Sequence, residues 1–311
     1  MCSFRKLISA LGLVVLASAS PQSHAETNRS ATKRCALCLY GPDNMVFDEH
    51  GDVYLVDTDH ESRSRILKLS TNGTKLADWR VFAEVPKARN GPEGIALDRD
   101  GDVLVTDAGA HEVLKLSPAG RLLLTIRSAS GTFKDLGHVA VLPNAIICVS
   151  ESDSNAIQVF SPEGRRVALW SRNGVGGSDG WKNPESIASL GDGSLVVEDW
   201  GNHRVDIVLP GGKVVRSFGR FGKGPGEFTN SAGIAVDKHQ NIYVADYSLR
   251  RIQEFDRDGK LIRVVQNTSG HTIFRWRPGG VAVGSDGTLY SPDGLSVVKY
   301  SARGRVLQRW Y

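Results

Sequence analysis

Three carboxylates and one histidine stand at matching points of this chain: Asp43, Glu93, His138 and Glu185. Each sits just ahead of a short apolar run, Met45-Val46-Phe47, Ile95-Ala96-Leu97, Val139-Ala140-Val141 or Ile187-Ala188. Carboxylate oxygens with one imidazole suit a divalent cation such as Ca²⁺ or Zn²⁺. Asn44, beside Asp43, adds an amide to the same set. Two further matching points carry only small residues, Ala232-Gly233 and Gly279-Gly280. One side of the set is therefore acidic and the other open. The plainer reading is that these carboxylates cap loop N–H groups and stay hydrated. Trp200 and Tyr247 each follow an acid that closes a β-rich run. They could wall a ligand on the same face, or pack beneath loops, as could Trp181.

Such residues need elements that bring them to one place, and a repeat supplies them. Units begin at Gly41-Pro42-Asp43, Gly91-Pro92-Glu93, Leu136-Gly137-His138, Asn183-Pro184-Glu185, Asn230-Ser231-Ala232 and Arg277-Pro278-Gly279. Each continues through a Gly or Asn turn into a β-rich run ending in an acid: Asp57, Asp107, Glu151, Asp199, Asp246 or Asp293. A period of about 47 residues marks a repeat architecture. Within the second unit, Ile95-Ala96-Leu97, Val103-Leu104-Val105, Val113 to Leu116 and Arg121 to Ile126 read as four strands. Asp98 to Asp102, Ala108-Gly109-Ala110 and Ser117 to Gly120 carry the turn chemistry between them. The predicted fold is all-β: a six-bladed β-propeller of four-stranded antiparallel blades. Closing the ring removes exposed sheet edges.

Antiparallel pairing then locates a site. The start of a blade's first strand and the end of its second meet at the same end of the propeller. The first strand lines the channel. Asp43, Asn44, Glu93, His138 and Glu185 are thus predicted to share one rim with the closing acids. Those acids read as structural, bonding the following turn or an arginine such as Arg65, Arg204 or Arg251.

Asp199-Trp200-Gly201-Asn202-His203-Arg204-Val205 carries the Asn-His-Arg of the NHL repeat. Ile242 to Asp246 with Arg251 to Asp256 is similar to the middle of that repeat, and Phe218 to Phe228 resembles its connecting loop. The resemblance runs over residues 41–311 and implies the propeller, with His203 packing in a blade. It does not fix a function, since this scaffold hosts binding and enzymatic members. The pattern is also distantly similar to peptidyl-hydroxyglycine amidating lyases, which hold zinc with histidines ahead of several first strands. Here Glu93 and Glu185 stand at those points, and only His138 has the matching type. Calcium-dependent gluconolactonase-like propellers use a Glu before a strand with Asn and Asp ligands, which Glu93 and Asn44 resemble loosely.

The ends and the composition set the context. Arg5 and Lys6, the apolar Leu7 to Ala19 and Ser23-His24-Ala25 read as a signal peptide over 1–25, giving a periplasmic or secreted protein. No later stretch is long enough to span a membrane. Residues 26–40 form an N-terminal segment ahead of the propeller. A net charge of +4, reduced by loss of Arg5 and Lys6, argues against a nucleic-acid partner. The mature cysteines are Cys35, Cys38 and Cys148. Cys35 and Cys38 can form a local bond or remain thiols, and Cys148 reads as core. The expected function is binding of a small molecule, peptide or protein at the rim by a monomer. The alternative is a divalent-metal-dependent lyase or lactonase.

Overall fold

The structure is a computed structural model that describes residues 37–58, 64–82, 91–128, 133–171, 180–265 and 279–311. Blade one comprises β1 (Pro42–Phe47), β2 (Val53–Asp57), β3 (Arg65–Leu69) and β4 (Lys75–Trp79). Blade two follows with β5 (Pro92–Leu97), β6 (Val103–Asp107), β7 (Glu112–Leu116) and β8 (Leu122–Arg127). Blade three is β9 (Leu136–Val141), β10 (Ile147–Glu151), β11 (Ala156–Phe160) and β12 (Arg166–Ser171). The fourth holds β13 (Pro184–Ser189), β14 (Leu195–Asp199), β15 (Arg204–Val208) and β16 (Val214–Phe218). In the fifth are β17 (Ser231–Val236), β18 (Ile242–Asp246), β19 (Arg251–Phe255) and β20 (Leu261–Val265). The sixth has β21 (Ala282–Val283), β22 (Leu289–Pro292), β23 (Val297–Tyr300) and β24 (Val306–Trp310). The sequence reading of six four-stranded antiparallel blades holds. The one helical turn among the described residues is 3₁₀, at Trp200–Asn202.

Burial follows strand position. β2, β6, β10, β14 and β18 are buried at every residue, so both faces pack. That is why they read as continuous apolar runs rather than alternating ones. The outer strands β4, β8, β12 and β16 carry exposed residues. The inner strands touch in a ring, β1 to β5, β9, β13, β17, β21 and back to β1.

The core lies between blades. Clusters of buried side chains fill all six seams, such as Val105 and Leu114 with Tyr54 and Ile66 between blades one and two. Outer-strand aromatics complete them. Trp79 covers the β7–β8 turn at Gly120, Trp170 the turn at Gly212, and Phe218 the turn at Gly259. Trp310 of the last strand covers Gly73 of the first blade in the same way. Gln308 Nε2 also donates to the Asn72 carbonyl at 2.8 Å. Ring closure therefore reuses the ordinary seam contact, and among the described residues each blade is built of four consecutive strands.

The segment before β1 adds to that closure. The Leu37 N–H donates to the Tyr311 carbonyl at 2.7 Å, and Leu37 and Leu39 are buried in the seam between blades six and one. Arg65 Nη2 donates to the carbonyls of Leu37 and Cys38 at 3.0 and 2.9 Å. Its described residues, 37–40, thus pack at the seam without forming a strand. Residues 35–311 form one compact unit. The segment 1–25 expected to be a signal peptide, Cys35 and the sixth unit's Arg277-Pro278 lie outside the described residues.

Gly73 has φ +82°, and a Cβ there would begin 2.5 Å from the Trp310 ring. Gly287 has a similar φ of +76° with nothing within 4 Å. Gly287→Ala should cost about 1–2 kcal/mol, the strain of a left-handed L-residue. Gly73→Ala should cost roughly 1–3 kcal/mol more, because Trp310 must move and the closing seam opens. Urea unfolding of both variants checks the difference, and equal losses would show that Trp310 does not tighten the closure.

Candidate ligand site at the channel rim

The rim residues stand in irregular backbone. Register shifts fall between Pro42 and Met45, Pro92 and Ile95, Pro184 and Ile187, and Ser231 and Gly233, each at the start of a blade's inner strand. The β9–β10 pair shifts at the same level, between Val149 and Glu151. A bulge adds a residue, re-aims side chains and removes backbone groups from the ladder. Those groups need other partners, and side chains from the second strands supply them. Thr106 Oγ1 accepts from the Gly94 N–H at 2.7 Å and donates to the Gly137 carbonyl of the next blade at 2.8 Å. Ser150 Oγ accepts from the His138 N–H at 2.8 Å and donates to the Glu185 carbonyl at 2.5 Å. Ser291 donates to the Gly280 carbonyl. Thr106 and Ser150 thus each hold a bulge and also join neighbouring blades.

His138 reaches across the channel mouth. Asn44 Nδ2 from blade one lies 3.1 Å from its Nδ1 and 3.3 Å from its Nε2. Ser186 Oγ from blade four lies 3.1 Å from Nδ1 and accepts from the Ile234 N–H of blade five at 3.0 Å. With that N–H donating into its lone pair, the Ser186 hydroxyl is free to donate to Nδ1. In the tautomer protonated on Nε2, Nδ1 accepts from both Ser186 and Asn44. Four blades meet through one imidazole and one hydroxyl.

The four expected ligands do not come together as a cation set. Among the described residues no three His, Cys, Asp or Glu side chains form a group that could hold a metal ion. The bulges send them to different partners. His138 is held by Asn44 and Ser186. Asp43 lies against blade six, its Oδ1 3.2 Å from where a side chain on Gly279 would begin. Glu185 lies close enough to the buried Glu198 to raise that group's proton affinity. Glu93 is partly buried at its predicted place ahead of Ile95. Of the expected site residues, the structure joins Asn44 with His138. Ser186, a neighbour of Glu185 in sequence, is the added member.

The closing acids behave as the sequence suggested. Asp57 accepts from the N–H groups of Tyr40 and Gly41 and from Arg65 Nε. Asp199 accepts from the Lys182 N–H, Asn202 Nδ2 and Arg204. Asp246 takes Thr229 and Leu249. Arg251 differs from expectation: its guanidinium donates to the carbonyls of Lys223, Gly224 and Glu227 in the connection before β17. Burial holds the carboxyls of Asp107 and Asp199 above their usual range. The aromatics expected near the rim have partners of their own. Trp200 Nε1 donates to Asn230 Oδ1 at 2.7 Å, and the Tyr247 N–H to the Asn230 carbonyl at 2.8 Å. Trp181 is buried, its Nε1 donating to Asp206 at 2.9 Å. His203 ends the 3₁₀ turn at φ 55° with its ring 4.9 Å from that of Phe221. Cys148 is core, and burial pushes its thiol up to about 12.

Glu198 was not foreseen. It is fully buried in β14, and neither carboxyl oxygen has a hydrogen-bond partner. Burial, then Glu185, pushes its carboxyl from 4.5 up to about 8, with Asp246 adding to the rise. Ser231 and the Ser186 backbone lie near enough to pull the other way without completing hydrogen bonds. The sequence signal was present: an acid one residue before the closing acid, where other units carry Val56, Thr106, Ser150 and Ala245.

A cavity of about 360 Å³ opens at the opposite end of the channel. It lies among the first turns of blades two to five, lined by residues that include Leu97, Arg99, Leu142, Leu190 and Lys238.

Comparison with known proteins agrees with this fold. Residues 23–132 match the SMP-30/Gluconolactonase/LRE-like region, and residues 182–267 match a 6-bladed beta-propeller model. RING finger protein nhl-1 of Caenorhabditis elegans is 30% identical over 128 residues, 41% of this chain and 13% of that protein. Peptidyl-glycine alpha-amidating monooxygenase of Mus musculus is 27% identical over 222 residues, 65% of this chain and 22% of that protein. The chain thus spans less than a quarter of the length of these curated relatives. Virginiamycin B lyase from Staphylococcus aureus superposes with a TM-score of 0.62 at 15% identity, over 87% of this chain and 84% of that one. A chain of a nidogen/laminin complex gives 0.62 at 18% identity, over 84% and 93%. The chain is a six-bladed propeller with NHL-like repeats, and the structural likeness at this identity is one of fold.

Two outcomes follow for the rim. Ser186→Ala leaves the Ile234 N–H without its acceptor and the His138 ring without one neighbour, and should cost about 1–3 kcal/mol. Chemical denaturation measures the loss, and the His138 ring resonances should shift with it. Glu198 binds its proton more tightly in the folded state than in the unfolded one. Its contribution to stability is therefore present below pH 4.5 and lost as pH rises through about 8. Unfolding free energies across that window should fall in the wild type relative to Glu198→Gln, and parallel curves would contradict the assignment.

Proposed function

We propose that the chain is an exported propeller that binds a small molecule, peptide or protein segment at the channel rim. The observation that carries this reading is the convergence of Asn44, His138 and Ser186 from blades one, three and four across the mouth. Glu185 beside them makes the edge acidic. Polar groups converging from separate elements at the mouth of a rigid channel are the usual makings of a binding site. The relatives support a propeller used for recognition or catalysis without choosing between them.

The enzymatic alternative is a lyase or lactonase. The SMP-30/Gluconolactonase/LRE-like match and the amidating relatives favour it. The divalent-cation form of that reading expects Asp43, Glu93, His138 and Glu185 to act together, and the described geometry does not fit such a set.

Thermal-shift screening of the purified chain, against a small-molecule and peptide panel that includes lactones and hydroxyglycine peptides, tests the reading. A stabilising compound at 100 times its Kd should raise stability by about 2.7 kcal/mol. Asn44→Ala and His138→Ala should weaken that response at least tenfold. If Lys238→Ser weakens it instead, the ligand occupies the opposite cavity. If Ca²⁺ or Zn²⁺ alone raises the melting point, and Glu93→Gln with Glu185→Gln abolishes the rise, the metal-dependent alternative replaces the binding one.

A further inference from the structure

Position 198 belongs to a series. It is the residue before the closing acid of β14, as position 106 is in β6 and position 150 in β10. Thr106 and Ser150 each accept from an inner-strand N–H of their own blade and donate to an inner-strand carbonyl of the next. A hydroxyl can do both. An ionised carboxylate can only accept. Glu198 stands in that place with no exposed surface and with both oxygens unpartnered. A lone charge buried without hydrogen bonds is costly, and the usual escape is to stay protonated. The charged groups facing Glu198 make the same demand. The register brackets Glu185 of β13 opposite Glu198, between the pairs Pro184–Asp199 and Ile187–Val197. Glu185 and Asp246 at the end of β18 are both acidic, and β17 contributes the hydroxyl of Ser231. Asp246 is already engaged by three donors from Thr229 and Leu249. Glu185 is the partly exposed member, at the rim.

We infer that Glu185 and Glu198 form a proton-sharing carboxyl pair at the channel mouth, with Glu185 meeting the ligand and Glu198 acting as the buried positioning residue. Two neighbouring carboxyls resist both being ionised, so the pair keeps one proton and one negative charge. Such a pair is an acid–base group working near neutral pH. When Glu185 takes a proton from an O–H or N–H of a ligand, the electron pair of that bond stays on the ligand. The carboxyl pair then holds two protons and no charge. The reverse transfer restores the starting state, with nothing oxidised or reduced. The pair would recognise ligands that carry an exchangeable proton, and its role toward a ligand rests on the rim-binding reading above.

The test needs no ligand, so its failure is distinct from failure of that reading. Carboxyl titration of the full chain is followed by isotope-edited infrared or carbon NMR with labelled glutamate. The wild type should show one glutamate titrating at about 8, and Glu198→Gln should remove it. Glu185→Gln should bring the Glu198 titration down by about one pH unit, because a like charge has gone. Glu93→Gln, on another blade, should leave it in place. A Glu198 titration unmoved by Glu185→Gln, or one in the ordinary carboxylate range, overturns the pair. If Glu198→Gln does not fold, Glu198→Thr, which installs the residue of blade two at this position, serves for the assignment.

Discussion

Backbone groups stranded by the inner-strand bulges are the constraint on which this structure turns. A propeller needs its first strands to line the channel, and those of blades one to five start with a register shift. The shift aims side chains at the mouth and takes N–H and C=O groups out of the ladder. Buried backbone groups must be paired, and in blades two, three and six a hydroxyl of the second strand catches them. Thr106 and Ser150 satisfy the demand with a hydroxyl that also reaches the next blade. The same geometry that exposes functional side chains therefore ties the ring together.

Apolar packing acts one level above. The blades have buried clusters at the seams, and each cluster needs two blades to exist. Outer aromatics on the turn glycines of the neighbouring blade repeat that dependence at the rim of the disc. Because Trp310 meets Gly73 as Trp79 meets Gly120, the last blade joins the first without a special device. The polar seam contacts and the apolar ones are thus redundant in location but different in kind. The polar ones select register, and the apolar ones supply most of the driving force.

Blade four breaks the polar pattern. Glu198 replaces a hydroxyl by a carboxyl and brings an unpartnered acid next to the rim. Departures from a local rule in an otherwise consistent repeat are where function is expected. Blades two and three fill the same position with Thr106 and Ser150, and blades one and five with Val56 and Ala245, all without charge, which makes the acid a choice rather than a necessity of the fold.

Much of this was legible in the residues themselves. The spacing of Asp57, Asp107, Glu151, Asp199, Asp246 and Asp293 gave the period, and the turn residues between apolar runs gave four strands per unit. Period and punctuation are local properties, so the fold class followed. That Asp43, Glu93, His138 and Glu185 occupy one level of the channel followed from strand direction. Their association did not. Strand direction places a Cα, whereas a bulge decides where the side chain goes, and bulges depend on pairing across strands. Hence His138 turned to Asn44 and Ser186, Asp43 to Gly279, and Glu185 to Glu198. The bond of the Trp200 ring to Asn230, 30 residues on, likewise has no signature in either segment alone. The sequence by itself determined the blades and the level of the site. Tertiary structure decided which groups meet there, because distances between side chains exist only once six separate sheets are closed into a ring.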